Sequence, residues 1–160
     1  MAVTGAWLEE PTDKVCVVTG GAGGIGSAMA ARFLAAGMRV VISDVEPAAV
    51  ASAIDRLDGG DRLLGVTGDV RAVDDMYELR DRAVAQFGGV HVVCLNAGVA
   101  PVGPMLDTPL EVWEWVFDVN VRGVVNGALV FAPVLAEQGA GHVVCTASVA
   151  GLTDTPTLPP

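Results

Sequence analysis

The chain has 160 residues, 52% of them apolar and 18% charged, and carries a formal net charge of −10. That length suits one domain with a single core, and the apolar fraction excludes a disordered segment and points to elements buried on both faces. The acids are scattered rather than gathered in a tail, so the charge carries no footprint for nucleic acid or for an anionic membrane.

The start, MAVTGAWLEEPTDK, has no basic segment followed by an apolar one, so a cytoplasmic location is expected and residues 1–13 read as an extension. Lys14 to Thr19 reads as a strand, and Gly24 to Ala36 as a helix with Ile25, Met29 and Phe33 at intervals of four. Arg39 to Ser43 is a second strand ending in Asp44, followed by a helix from Glu46 to Leu57 and a third strand from Leu63 to Thr67. Met76, Leu79, Ala83 and Phe87 mark the third helix, and Val90 to Leu95 the fourth strand. The uncharged run from Phe87 to Leu106 is broken by glycine and proline and holds His91 and Asn96, so it reads as a buried strand entering a loop, not as a membrane span. A long helix from Pro109 carries Trp113, Phe117, Asn120, Val124, Ala128, Phe131 and Leu135 on one stripe; strand five is His142 to Thr146, and 152–160 is an irregular, proline-rich tail. Strands alternating with helices predict one α/β domain over 1–160, a Rossmann-like doubly wound parallel sheet in three layers with strand order 3-2-1-4-5. Cys16, Cys94 and Cys145 lie in apolar runs without metal-ligand spacing, so buried, reduced thiols are expected and no metal site.

The stretch VVTGGAGGIGS concentrates glycines between the first strand and the first helix, where backbone N–H groups and the helix dipole converge on a phosphate. No Lys follows its last glycine, which disfavours a triphosphate-binding loop and leaves a dinucleotide. Gly21, Gly23 and Gly26 fit G-x-G-x-x-G, while Thr19, Gly20, Gly24 and Gly26 equally fit T-G-x-x-x-G-x-G; the cluster does not choose. Asp44 lies 18 residues beyond Gly26 at a strand end, where a carboxylate accepts from adenosine ribose hydroxyls and repels a 2′-phosphate. NAD is therefore expected in preference to NADP, and no Lys or Arg lies within the turn to offset the repulsion. The competing reading of Asp44 is a helix N-cap.

TGGAGGIG at 19–26, GDV at 68–70, LNAG at 95–98, VNVRGVVNG at 119–127 and TASVAG at 146–151 together resemble the short-chain dehydrogenase/reductase (SDR) family. The resemblance implies an oxidoreductase that interconverts an alcohol and a ketone by hydride transfer. It selects the register Gly20, Gly24, Gly26 and places Gly23 and Ile25 in the same cofactor-binding turn. It further implies that Asp69 and Val70 meet the adenine, and that Asn96, Ala97 and Gly98 line the central cofactor path. Asn120 would hold a water of the proton relay, and Ser148 would hydrogen-bond the reacting substrate oxygen. The plainer readings are a strand-end turn for Asp69, a satisfied core amide for Asn120 and a turn or cap for Ser148.

The family's proton donor is a tyrosine about a dozen residues after that serine, with a lysine one helical turn later. Here Pro160 lies 12 residues after Ser148, the single tyrosine is Tyr77 and the single lysine is Lys14, neither placed for that role. The expectation is an N-terminal, truncated part of such an enzyme, without turnover on its own. The alternatives are a non-catalytic NAD-binding module and a non-functional fragment. The expected partners are a small-molecule substrate and further copies of the chain, because strand five offers an apolar edge and the long helix has more apolar surface than one sheet face covers.

Overall fold

The computed structural model describes residues 10–153; the first nine residues of the expected extension and most of the expected tail lie outside them. Parallel strands β1 (Val15–Thr19), β2 (Arg39–Asp44), β3 (Leu63–Thr67), β4 (Val92–Leu95) and β5 (His142–Cys145) form one sheet ordered β3-β2-β1-β4-β5. Helices α1 (Gly24–Ala35), α2 (Pro47–Leu57), α3 (Val73–Phe87), α4 (Leu110–Phe117) and α5 (Gly123–Glu137) connect them. The three central strands are buried along their length because both faces are covered, which is why they read as continuous Val and Ile runs. One core layer joins Val15, Val17, Val41 and Val93 to Met76, Leu79 and Ala83 of α3 and Val130, Phe131 and Leu135 of α5. The other joins Cys16, Val18, Val40, Ile42 and Cys94 to Ala30 and Leu34 of α1 and Val50 and Ala53 of α2.

Three expectations change. The inward line of α1 is Gly26, Ala30 and Leu34, one position on from Ile25, Met29 and Phe33, and Ile25 is 65% exposed. A small residue must face the sheet there: a Cβ on Gly26 would run into the Gly20 carbonyl and come within 2.7 Å of Asn96 Nδ2. The long helix is not one α-helix, since a π turn at Asp118–Arg122 separates α4 from α5. Its wider turn moves the inward positions to Val116 and Val119 and leaves Phe117 54% exposed. Cys145 is exposed rather than buried, because β5 is an edge strand whose Val143 and Val144 are also uncovered. Cys16 and Cys94 are buried as free thiols, and burial pushes the Cys16 thiol up, so it stays protonated.

The segment Leu110–Glu137 is apolar and long enough to cross a bilayer by length and composition. Phe131, Val130 and Leu135 lie in the sheet-facing core, while Val121, Val125 and Leu129 are exposed on the other side of the segment.

Candidate functional site

All five strands point their C-terminal ends the same way, and the sheet order reverses direction at β1, between β2 and β4. At that switch point lies a cleft of about 290 Å³, lined among others by Gly20, Gly23, Ser43, Asp44, Asp69, Val70, Asn96, Ala97 and Gly98.

The glycine-rich turn leaves β1 with Gly20 at φ +62° and enters α1 with Gly24 at φ +49°, both conformations that favour glycine. A Cβ on Gly20 would come within 2.8 Å of Ala97 Cα, so this glycine also permits the close approach of β4. At Gly23 and Gly24 a Cβ would meet nothing within 4 Å; the space over the start of α1 is open. Gly23 is the N-cap and supplies no side-chain hydrogen bond, leaving the first N–H groups of α1 without a side-chain acceptor. Backbone N–H groups at a helix start beneath open space have the direction and the dipole to receive an anion.

Asp44 ends β2 and does not cap α2, whose N-cap is Glu46. Its Oδ2 accepts the Ala22 N–H at 3.3 Å, so the carboxylate stands beside the turn rather than on the following helix. Ser43 lines the cleft with a buried Oγ that has no hydrogen-bond partner among the described residues. An orphaned hydroxyl on a cleft wall, open space over a helix start and a carboxylate at the strand end fit a dinucleotide and its ribose.

The segment after β3 is tied down from several sides. Asp75 Oδ2 accepts the Asp69 N–H at 2.7 Å, and Asn126 Nδ2 donates to the carbonyls of Val70 at 2.9 Å and Arg71 at 3.1 Å. Gly123 lies under Val70, where a Cβ would come within 2.6 Å of Val70 Cγ2. The Asp69 carboxylate is gripped by Arg71, with Nε at 2.9 and 3.0 Å and Nη2 at 2.6 Å. Those hydrogen bonds hold the Asp69 carboxyl below the usual carboxylate range.

Beyond β4, Thr19 Oγ1 accepts the N–H groups of Asn96 at 3.0 Å and Ala97 at 3.1 Å, while Asn96 Nδ2 donates to the Thr19 carbonyl at 3.1 Å. Thr146 Oγ1 donates to Asn96 Oδ1 at 3.0 Å, so one amide links β1, β4 and the end of β5. Asn120, inside the π turn, clamps Val99 at both backbone groups: Oδ1 accepts its N–H at 2.8 Å and Nδ2 donates to its carbonyl at 2.9 Å. Its side chain is thereby spent on the loop after β4, and Gly98 packs against it, a Cβ there lying 3.4 Å from Asn120 Oδ1.

Ser148 is exposed, and its Oγ accepts the Ala150 N–H at 3.1 Å as the cap of a short 3₁₀ turn at Val149–Gly151. It is not among the residues lining the cleft, nor are Gly24, Ile25, Gly26 and Asn120. The structure thus gathers Gly20, Gly23, Asp44, Asp69, Val70, Asn96, Ala97 and Gly98 on one surface; Gly24 opens on the outer side of the turn and Gly26 underlies it. Sequence reading overlooked Ser43, Asp75, Arg71, Asn126 and Arg56. The signal for Asn126 is an amide in an apolar run, the same signal that singles out Asn120; the others carry no such signal in the sequence, and only the fold brings them in. Arg56 Nη2 reaches the Ala22 carbonyl at 2.8 Å, so a cation stands beside the turn although none lies within it.

Comparison with known proteins places these features in context. A family model described as short chain dehydrogenase matches residues 14–160. The chain is 42% identical over 140 residues to a 1-deoxy-11-beta-hydroxypentalenate dehydrogenase of Streptomyces arenae, covering 85% of this chain and 50% of that protein. It is 35% identical over 145 residues to a cis-2,3-dihydrobiphenyl-2,3-diol dehydrogenase of Pseudomonas putida, covering 88% of this chain and 51% of that protein. A crystal structure of a short chain dehydrogenase/reductase from Burkholderia phymatum in complex with NAD superposes with a TM-score of 0.88 at 41% identity, covering 93% of this chain and 54% of that one. The chain spans about half the length of the curated relatives it matches.

Proposed function

The chain belongs to the short chain dehydrogenase family, and from that premise we propose that it is the NAD-binding part of an oxidoreductase interconverting an alcohol and a ketone. One observation carries the cofactor reading: the uncapped start of α1 and the Asp44 carboxylate flank the same glycine-rich turn at the sheet's switch point. When bound, the nicotinamide supplies the hydride acceptor or donor.

Each residue then has a definable task. The N–H groups at Gly24 to Gly26 bind the pyrophosphate, helped by the positive end of α1. Asp44 accepts from the adenosine ribose hydroxyls, which favours NAD over NADP. Asp69, held by Arg71 and Asp75, and the backbone of Val70 meet the adenine edge. Asn96, Ala97 and Gly98 allow close approach along the path towards the nicotinamide. Asn120 fixes Val99 with its side chain, so its part in a proton relay falls to its backbone carbonyl within the π turn. Ser148 hydrogen-bonds the substrate oxygen once its Oγ turns away from the Ala150 N–H.

A general acid or base typically contributes about 10²–10⁴-fold to such a proton transfer. Neither Asn120 nor Ser148 supplies it, so the 160-residue chain is expected to bind cofactor and turn nothing over. The engagement of Ser148 as a cap, away from the cleft, favours the second reading of a non-catalytic NAD-binding module. An assay of NAD reduction over a panel of secondary alcohols tests the proposal. The expected result is no turnover by this chain and activity from the chain extended by its downstream sequence; robust turnover by the present chain, lost in Ser148→Ala, would overturn it. A soluble cytoplasmic location and self-association complete the proposal, the latter through β5 and the outer face of α5.

A further inference from the structure

Arg56, in the last turn of α2, reaches across to the glycine-rich turn. Its Nη2 donates to the Ala22 carbonyl at 2.8 Å and to Ser27 Oγ at 3.0 Å. Among the described residues no carboxylate forms an ion pair with it, the ion-paired arginines there being Arg39, Arg71, Arg80, Arg82 and Arg122. Its Nε and Nη1 make no hydrogen bond among the described residues, so most of its donor fork faces the open groove along Ala22, Gly23, Gly24 and Ser27. At the other backbone group of the same residue, Asp44 Oδ2 accepts the Ala22 N–H. Opposite charges therefore converge on Ala22, one at each backbone group.

We propose that Arg56 is a specificity-determining residue for the adenosine end of the cofactor, the cation that receives a 2′-phosphate, and that Asp44 and Arg56 together set the ratio of NAD to NADP affinity. This rests on the nicotinamide-cofactor reading above. A carboxylate at the end of β2 disfavours a 2′-phosphate, whereas a nearby guanidinium with unused N–H directions matches phosphate geometry. Arg56 lies far from the turn in sequence, so a motif search within the turn misses it, yet it reaches the residue that Asp44 also holds. Asp44 on this account is a gate over a phosphate site that already has its cation. NAD binds more tightly in the native chain, but the margin is narrower than Asp44 alone would set.

Calorimetric titration of NAD and of NADP into the unmodified chain, Asp44→Ser, Arg56→Gln and the double variant tests this. Asp44→Ser is expected to gain NADP affinity. Adding Arg56→Gln should then remove about tenfold or more of the NADP affinity while changing NAD by less than about threefold, and Arg56→Lys should recover part of the loss. Should Asp44→Ser fail to fold, Arg56→Gln alone must still widen the NAD-to-NADP ratio. Equal losses for both cofactors would reduce Arg56 to a support of the turn, and unchanged affinities would deny it any part; either overturns the proposal. An unmodified chain that binds neither nucleotide would contradict the cofactor reading itself, an outcome visible before any variant is made.

Discussion

His91 fastens strands together at the end of the sheet opposite the cleft. Its Nδ1 accepts the Val15 N–H at 3.0 Å, its own N–H donates to the Val15 carbonyl at 2.8 Å, and its carbonyl accepts the His142 N–H at 2.9 Å. Burial, and then the charge of Lys14, hold its imidazole below the ordinary histidine value. A proton on Nδ1 would remove the acceptor that Val15 uses. The native state therefore favours the neutral ring, and below the ordinary value of about 6.5 the unfolded chain binds more protons than the folded one. The contribution of His91 is whole above that pH and is lost progressively as pH falls towards the lowered native value. Denaturant unfolding across this range should show stability falling with pH, and His91→Asn, which keeps an acceptor but does not titrate, should flatten the part of the slope that His91 supplies. An unchanged slope in the variant would contradict the assignment. At this scale the sequence singles out Asp44 by its place at a strand end, with a helix N-cap as the competing reading, and it offers the glycines in two equal registers; it shows His91 only as an isolated histidine before a strand.

Among the elements, α5 does more than cover the sheet. Asn126 faces the segment after β3 and satisfies two of its carbonyls, with only 8% of its own surface exposed. Replacing it by Ala leaves the Val70 and Arg71 carbonyls without that donor and is expected to cost about 1–3 kcal/mol of stability, with weakened cofactor affinity through a looser Asp69. Urea unfolding together with an NAD titration reads both; a variant as stable as the parent with unchanged affinity would contradict this role. The order of strands and helices follows from hydrophobic period, and every strand lies within a residue or two of its expected span. The phase of α4 against α5 does not, because a straight 3.6-residue count through Asn120 reaches Phe117, whereas the π turn brings Val116 and Val119 inward. The same count passes over Asn126, and composition does not reveal the extra residue in the turn. β5 is the element with the least cover, an edge strand with Val143 at 39% and Val144 at 45% exposure. Unpaired strand edges recruit further strands, so light scattering should show association that rises with concentration; a monomer at high concentration would contradict an available edge.

For the molecule as a whole, the parallel sheet turns every strand end towards one side, and the reversal of order at β1 opens a cleft there. Glycines at Gly20 and Gly26 let β4 and α1 close around the turn, while Gly24 holds a left-handed bend over open space. The placement of these residues accounts for the cofactor reading without a single charged residue inside the turn. Isothermal titration of NAD into the unmodified chain and into Gly24→Val tests that central claim most directly. Saturable binding at one site per chain is expected for the unmodified chain, and none for the variant, whose β-branched side chain is strained at φ +49° and fills the space over the start of α1. Absence of NAD binding by a folded, unmodified chain, or equal binding by a folded variant, would contradict it.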